Sequence, residues 1–248
     1  MNEQTNQPPP LHDFAGETPL GEDPNDHVPV VGAAGVIEAV LRHPRRIVYQ
    51  LSQGNAPAPV IALMFAIALV FIAGYGLIVG SFSGREQWWQ APLKITGGLL
   101  ASGLICLPSL YIFSCLGGSA ARLREVAGAL GGLLALTTLL LVGFAPVAWI
   151  FSQSTESVAT MGALHLAFWL VAVGFGARFL ARAFHHFGLR SDAGLKAWII
   201  IFLVVSLQMT TALRPLLGPA GQNLLPTEKK FFLAHWMDSL DGVEKPGR

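Results

Sequence analysis

The stretch Lys196–Gly218 reads K-A-W-I-I-I-F-L-V-V-S-L-Q-M-T-T-A-L-R-P-L-L-G and carries no charge from Trp198 to Leu213. An apolar run of this length is too long for a helix in a globular core. It fits a membrane-spanning helix, which needs about 20 apolar residues to cross about 30 Å of hydrocarbon. The run stops at Arg214 and Pro215, and Ser206, Gln208, Thr210 and Thr211 lie in its second half. Four apolar runs precede it, at about 59–80, 95–116, 126–151 and 158–181. Only 12% of the 248 residues are charged, about half the share of an ordinary soluble domain, so lipid solvates most of the surface. Hydrocarbon offers no partner for backbone groups, and the runs lack the alternation of membrane strands, so the spans are helices. The predicted fold is all-α, a polytopic bundle of five transmembrane helices over 59–217 with a short amphipathic surface helix before it and another after it.

Residues 1–35 hold six acids, no Lys or Arg, and the proline run Pro8–Pro10, which predicts a disordered acidic tail. With no positive segment leading into an apolar one there, the first span itself directs insertion and the mature chain is the whole chain. Residues 36–52 form a juxtamembrane segment in which Val36, Ile37, Val40 and Leu41 recur at helical spacing opposite Glu38 and Arg42, until Pro44 interrupts. This predicts a helix on the membrane surface, where Arg42, Arg45 and Arg46 meet anionic headgroups at about 1 kcal/mol each. After Gly218, residues 218–248 form a C-terminal tail in which Phe232, Trp236 and Leu240 recur every four residues, the second surface helix.

Several span residues suggest packing. Gly76-x-x-x-Gly80 and Gly128-x-x-x-Gly132 permit close helix approach, and the second and third spans are expected to form a tight hairpin. Pro108 sits in the middle of the second span and frees a carbonyl, which predicts a kink and allows a cavity, and Pro146 lies in the third span. Cys106 and Cys115 lie in one span, about half a turn out of phase, and read as buried structural thiols. Trp88 and Trp89 mark the headgroup level. His165 stands inside the fourth span, and Arg178 and Arg182, four apart, share a face near its end and reach headgroups by snorkelling.

Basic residues set the orientation. With the N-terminus inside, Arg42, Arg45, Arg46, Arg122, Arg124, Arg178, Arg182, Arg190 and Lys196 fall on the inner side, against Arg85, Lys94, Arg214, Lys229 and Lys230 outside. An odd number of spans then puts the C-terminus outside.

No catalytic constellation is visible: no phosphate-binding glycine loop ending in Lys-Ser/Thr, no G-x-S-x-G, no H-E-x-x-H and no zinc spacing. The adjacent His185 and His186 point about 100° apart and do not chelate. The expectation is no enzyme, no cofactor and no metal. No span centre carries Asp or Glu, which lowers the reading as an ion-coupled carrier. The densest polar cluster is the end of the fifth span: Gln208 and Thr211 three apart, Thr210 and Arg214 four apart, then Pro215.

The segments A-P-L-K-I-T at 91–96, C-L-P-S-L-Y-I-F at 106–113, G-F-A-P-V-A-W-I-F at 143–151 and L-Q-M-T-T-A-L-R-P-L-L-G at 207–218 together resemble a family of five-span bacterial inner-membrane proteins of unassigned activity. The Q-M…L-R-P…G element is its most specific part. This chain departs from that pattern at Leu216, where the family favours Phe, and at Thr210 and Thr211, where an aromatic is common. A looser similarity, a P-R-R segment before five spans, points to Yip1-type membrane proteins. The resemblance implies a multi-pass protein of the bacterial inner membrane.

The leading functional expectation is a non-enzymatic scaffold or accessory subunit, in contact with the bilayer and with a protein partner or a second copy in the membrane, and with no nucleic acid. The alternative is a permease- or channel-like protein for a small solute, which Pro108, Pro146 and the polar end of the fifth span would serve. A third reading is an enzyme of lipid chemistry that uses His165 or the Arg178/Arg182 pair on phosphates. A polar cavity at mid-membrane separates the second reading from the first.

Overall fold

The computed structural model describes residues 19–53, 57–82, 87–155 and 158–212, apart from the side chains of 81–82, 87–90, 158–159 and 210–212. Among these residues the regular structure is entirely helical. A 3-10 turn at Pro24–His27 precedes α1 (Gly32–Arg42), α2 (Pro44–Ser52), α3 (Ala58–Phe82), α4 (Gln87–Leu116), α5 (Leu123–Ser154), α6 (Val158–His186) and α7 (Ala193–Ala212). Four helices, α3 to α6, are long and apolar enough to cross a membrane. The apolar part of α7, Ala193–Met209, is shorter, and the residues after 212 lie outside the described ones, as do Arg214, Pro215 and the expected C-terminal surface helix.

The hub is α5. Half of its apolar span (50%) is buried, against 28–33% in the other three, because its small residues let neighbours approach on several sides. A β-carbon at Gly128 would collide with Leu51 of α2, one at Gly132 with Phe179 of α6, and one at Gly131 would press Phe65 of α3 at 3.3 Å. The glycines thus admit three elements to one helix. The expected hairpin of the second and third spans does not form: α4 touches α5 sparsely, whereas α3 lies between them and α5 packs on α3 and α6. The close contact of α4 is instead with α3, where a β-carbon at Gly76 would stand 2.6 Å from the Pro92 backbone.

Antiparallel to α4 runs α7. Gly194 faces the Phe113 carbonyl, and one turn on Trp198 is wholly buried and donates its indole N–H to the Cys106 carbonyl at 2.9 Å and to Ser109 Oγ at 3.2 Å. Phe202 stacks on Trp198 at 5.2 Å and is also buried. Pro108 releases the carbonyl of Leu104, two residues before the one that takes the indole, and both Pro108 and Pro146 are exposed on the outer side of their helices. Cys106 is buried as expected, but Cys115 is exposed on the outer face of α4.

Two loops at one end close the bundle in the same way. Gly118 and Gly188 take φ of 84° and 79°, the left-handed conformation of a glycine after a helix. Ser119 N donates to Ser114 O and Gly118 N to Cys115 O, while Leu189 N donates to Phe184 O and Gly188 N to His185 O, so both α4 and α6 end in Schellman caps. The loops then bond each other: Arg190 N donates to Gly117 O at 2.9 Å, and Ser119 Oγ to Phe187 O at 3.1 Å.

The N-terminal region differs from its reading as tail plus surface helix. Residues 19–31 lie ordered against α2, and the residues before 19 are outside the described ones. The chain breaks at His43, and α2 starts on Pro44, a residue whose missing N–H costs nothing at a helix start. The apolar face of α1 and α2, with Val36, Ala39, Val40, Ile47, Val48 and Leu51 buried, joins the same core as the spans. The bundle, not lipid, covers that face.

The contact of α3 with α4 yields a test. Gly76→Ala forces the Pro92 backbone away and should destabilise the detergent-solubilised protein by about 1–3 kcal/mol, the usual cost of overpacking. Gly74→Ala on the same helix meets nothing within 4 Å and should leave the melting temperature unchanged. Equal effects of the two would refute the contact.

Candidate functional site

The structure separates the residues that the sequence singled out into two ends of the bundle. His165 and Arg178 are both on α6, 13 positions apart by number, or about 20 Å at 1.5 Å per residue. No single site holds them all.

Near the start of α6, His165 meets Tyr75 of α3. The tyrosine hydroxyl and His165 Nδ1 are 2.6 Å apart, and the rings cross edge to face at 5.6 Å. Tyr75 is buried among Ile72, Val79, Leu141, Ala145 and Ala172, so the imidazole is its polar outlet. His165 Nε2 is also buried, and no described residue accepts or donates a hydrogen bond there. Sequence reasoning found His165 but not Tyr75, which stands in an apolar run with no local mark of its partner 90 positions away.

Of the polar cluster at the end of the fifth span, Gln208 lies on α7 and Thr210 and Thr211 continue its backbone as helix, but their side chains, with Arg214 and Pro215, fall outside the described residues. Ser206 is buried without a hydrogen-bond partner among the described residues, as is the hydroxyl of Thr96 on α4. The antiparallel register that joins Trp198 to Cys106 carries Ser206 and Gln208 toward the end of α4 that holds Lys94 and Thr96. Lys94, counted as an outer interfacial charge, is buried at 5% exposure.

At the other end, Arg178 and Arg182 line a cleft of about 690 Å³ together with Arg42, Arg45 and Arg46. Five arginines and two aspartates, Asp23 and Asp26, border it, so it is strongly electropositive. Two of the arginines are committed. Arg45 grips Asp26 with both oxygens, Nε to Oδ1 at 3.2 Å and Nη2 to Oδ2 at 3.0 Å, and Nη2 also donates to Pro19 O. Arg46 Nε donates to the Asn25 carbonyl at 3.0 Å. No described residue forms a hydrogen bond or ion pair with the side chains of Arg42, Arg178 or Arg182, and all three are exposed.

The segment that those two arginines hold is itself well bonded. Asp23 accepts from Asn25 N at 2.9 Å and caps the turn, and Gly21 N donates to Asp26 Oδ2 at 3.0 Å. His27 Nε2 donates to the Gly21 carbonyl, which can only accept, so in the neutral ring Nδ1 is left to take the Tyr49 hydroxyl at 2.9 Å. Asp26 is buried, 2% exposed. The Arg45 guanidinium hydrogen-bonded to it holds its carboxyl below the usual carboxylate range; burial opposes this, and the Gly21 N–H adds to it.

Among the described residues no group of three His, Cys, Asp or Glu side chains converges as metal ligands would. The chemistry on offer is anion recognition at the basic cleft and a buried phenol–imidazole pair at the opposite end.

A carboxyl whose pKa is depressed by folding contributes stability above its unfolded value of about 3.9 and loses it as the pH falls through the folded value. Amide exchange of residues 20–29, corrected for intrinsic rates, should therefore be flat from pH 8 to pH 5 and accelerate only below about pH 4. Asp26→Ala should release the segment at every pH, by about 1.5–3 kcal/mol for a charged hydrogen bond. Release already at pH 6 would contradict the assignment. At the other end, Tyr75→Phe keeps the ring and removes the hydroxyl, and should lower stability in detergent by about 0.6–1.7 kcal/mol, the range for hydrogen bonds between membrane helices. An unchanged melting temperature would show that the 2.6 Å contact carries no energy.

No family model, curated protein or solved structure matches the chain.

Proposed function

We propose that this multi-pass helical membrane protein has five spans, N-terminus inside and C-terminus outside, in a bacterial inner membrane, and that it works as a non-enzymatic scaffold or accessory subunit. The fifth span is α7. Its 20 residues, Ala193–Ala212, rise about 30 Å, the thickness of the hydrocarbon core. It lies along α4, itself long enough to span, and turns Ile200, Ile201 and Val204 outward. The orientation draws support from the clustering of the basic residues: the ends of α4 and α6, the starts of α5 and α7 and both short N-terminal helices meet at one end, which collects all nine basic residues assigned to the inner side. The inner-membrane placement rests on the motif resemblance, whose L-R-P part lies beyond the described residues.

The reading as a scaffold is carried by the way the interior is filled. Trp198, Phe202, Leu110, Leu130 and Leu133 are buried between the spans, and the two mid-helix prolines that a permease would turn inward face outward. The hydroxyls at that depth are spent on their own helices: Thr137 donates to Leu133 O, Thr138 to Ala135 O and Ser102 to Gly98 O. This filling of the described interior directs the reading to the outer surface. Gly97, Gly143 and Gly174 are exposed on α4, α5 and α6 and meet nothing within 4 Å, gaps into which a helix of another protein can approach closely.

The test has two arms. Cross-linking in native membranes followed by purification in mild detergent should yield a defined assembly with a second integral protein or copy, and Gly97→Leu or Gly174→Leu should remove it without changing the melting temperature. Proteoliposomes should not swell in iso-osmotic sugars, polyols or amino acids. A monomeric particle that conducts such solutes would overturn the proposal in favour of a permease. Reporter fusions after residue 155 and at the C-terminus should both read external; internal signals at both would reverse the orientation.

A further inference from the structure

We propose that the cleft between the two short N-terminal helices and α5/α6 is a binding site for one anionic phospholipid of the leaflet on the basic side, with the phosphate held by Arg42, Arg178 and Arg182 and an acyl chain laid along the groove below. The inference stands apart from the scaffold reading: it concerns a ligand of this chain alone.

Three observations carry it. The first is the charge that remains after internal pairing. Arg45 takes both oxygens of Asp26, and Asp23 is turned to Asn25 through Oδ1; neither carboxylate forms an ion pair with Arg42, Arg178 or Arg182. Arg178 and Arg182 are four apart on one helix, and Arg42 projects into the same cleft from a different element. Three uncommitted guanidiniums on two sides of a cavity are repulsive unless an anion lies between them, and the planar fork of Arg matches phosphate oxygens two at a time.

The second is the floor. Leu136, Leu140 and Phe175 line the same cleft, and the two leucines lie about 20–25 Å along α5 from its start at Leu123 at 1.5 Å per residue. The cavity is therefore not a surface patch at headgroup level. It runs from a guanidinium cluster at the basic end into the apolar length of two spans, the sequence of environments of a phospholipid: anion at the top, hydrocarbon beneath. A soluble phosphate would leave that floor empty, and a nucleic acid would not enter it.

The third is its construction. The wall formed by α1 and α2 is fixed, because their apolar face belongs to the bundle core and because Arg45 and Arg46 are tied to the 19–31 segment. The cleft is held open by bonds that do not involve the three free arginines. This is more than the diffuse attraction of basic residues to an acidic membrane surface, which requires no cavity.

The full chain in detergent is titrated with phosphatidylglycerol and followed by native mass spectrometry, with phosphatidylcholine and inorganic phosphate as the other two probes. One phosphatidylglycerol should bind per chain, in preference to phosphatidylcholine, and inorganic phosphate should not compete at millimolar concentration. The double variant Arg178→Gln/Arg182→Gln should lose about 30-fold in affinity, at roughly 1 kcal/mol for each guanidinium removed. Arg124→Gln/Arg190→Gln removes the same charge from the same end outside the cleft and should bind as the unaltered protein does. Arg42→Gln, on another helix, should lose about 5-fold on the same scale and replaces the double variant should that one fail to fold. Equal losses in the two double variants would reduce the effect to surface potential and overturn the site. Binding of inorganic phosphate as tight as that of the lipid would overturn the role of the floor. Lipid binding that appears only after residues 1–18 are deleted would make the acidic N-terminal segment the occupant, and would overturn the proposal as well.

Discussion

Everything in this bundle depends on how closely α5 can be approached. In lipid the hydrophobic effect does not drive helices together, because the tails are as apolar as the side chains; association rests on dispersion, on hydrogen bonds and on the closeness that small residues permit. Glycines at 128, 131 and 132 remove the side chains that would hold α2, α3 and α6 away, and Leu51, Phe65 and Phe179 take the space. Gly176 on α6 answers from the other side, where a β-carbon would stand 2.6 Å from Thr137 Oγ1 and 2.9 Å from the Leu133 carbonyl. The helix with the least side chain at its contacts is thus the most buried one. The arrangement leaves α4 one step removed, joined to the hub through α3 and carrying α7 on its far side.

The same reliance on α5 explains why α1 and α2 turn their apolar face into the bundle. Leu51 fits the gap at Gly128, so the juxtamembrane segment has a specific socket, and the ordered residues before it follow, because Arg45 and Arg46 on α2 present donors to the acids and carbonyls of 19–31. An acidic segment followed by an arginine pair is thereby bonded to itself at the bundle end, and the excess arginines of the cleft are those that this pairing leaves over.

What could be read from the chain follows from the range of each interaction. The apolar runs were legible because span length is fixed by bilayer thickness and not by neighbours, and the apolar spans within α3 to α6, such as Ala91–Leu116 and Leu123–Ser154, nearly coincide with the runs. The glycine pairs marked close approach correctly at Gly76 and Gly128 but could not name the partner: glycine specifies a gap, and the side chain that fills it may come from anywhere. The expected hairpin of the second and third spans failed for that reason. Ordering of 19–31 was missed because its composition is that of a tail, and its stabilising partners, Arg45 and Tyr49, are about 20 positions away. Of the site residues, Arg178 and Arg182 were visible as a helical pair, but their convergence with Arg42 depends on the docking of α1 and α2. The pairing of His165 with Tyr75 had no sequence signal at all.

The two mid-helix prolines show how one observation separates functional classes that composition leaves level. A proline removes one donor from a membrane helix, and the carbonyl it strands must be reached by something. In a transporter that something is substrate, ion or water in an interior cavity. Here Pro108 lies on the outer side of α4, and the inward side of the same turn is occupied by Trp198, whose N–H goes to Cys106 O and Ser109 Oγ. The indole fills that side of the turn, and Phe202 stacked on it continues the buried aromatic packing along α7. The basic cleft lies between the two short N-terminal helices and α5/α6, and Leu136, Leu140 and Phe175 are part of its lining. That geometry matches a molecule with one anionic end and one apolar end, the ligand proposed for it.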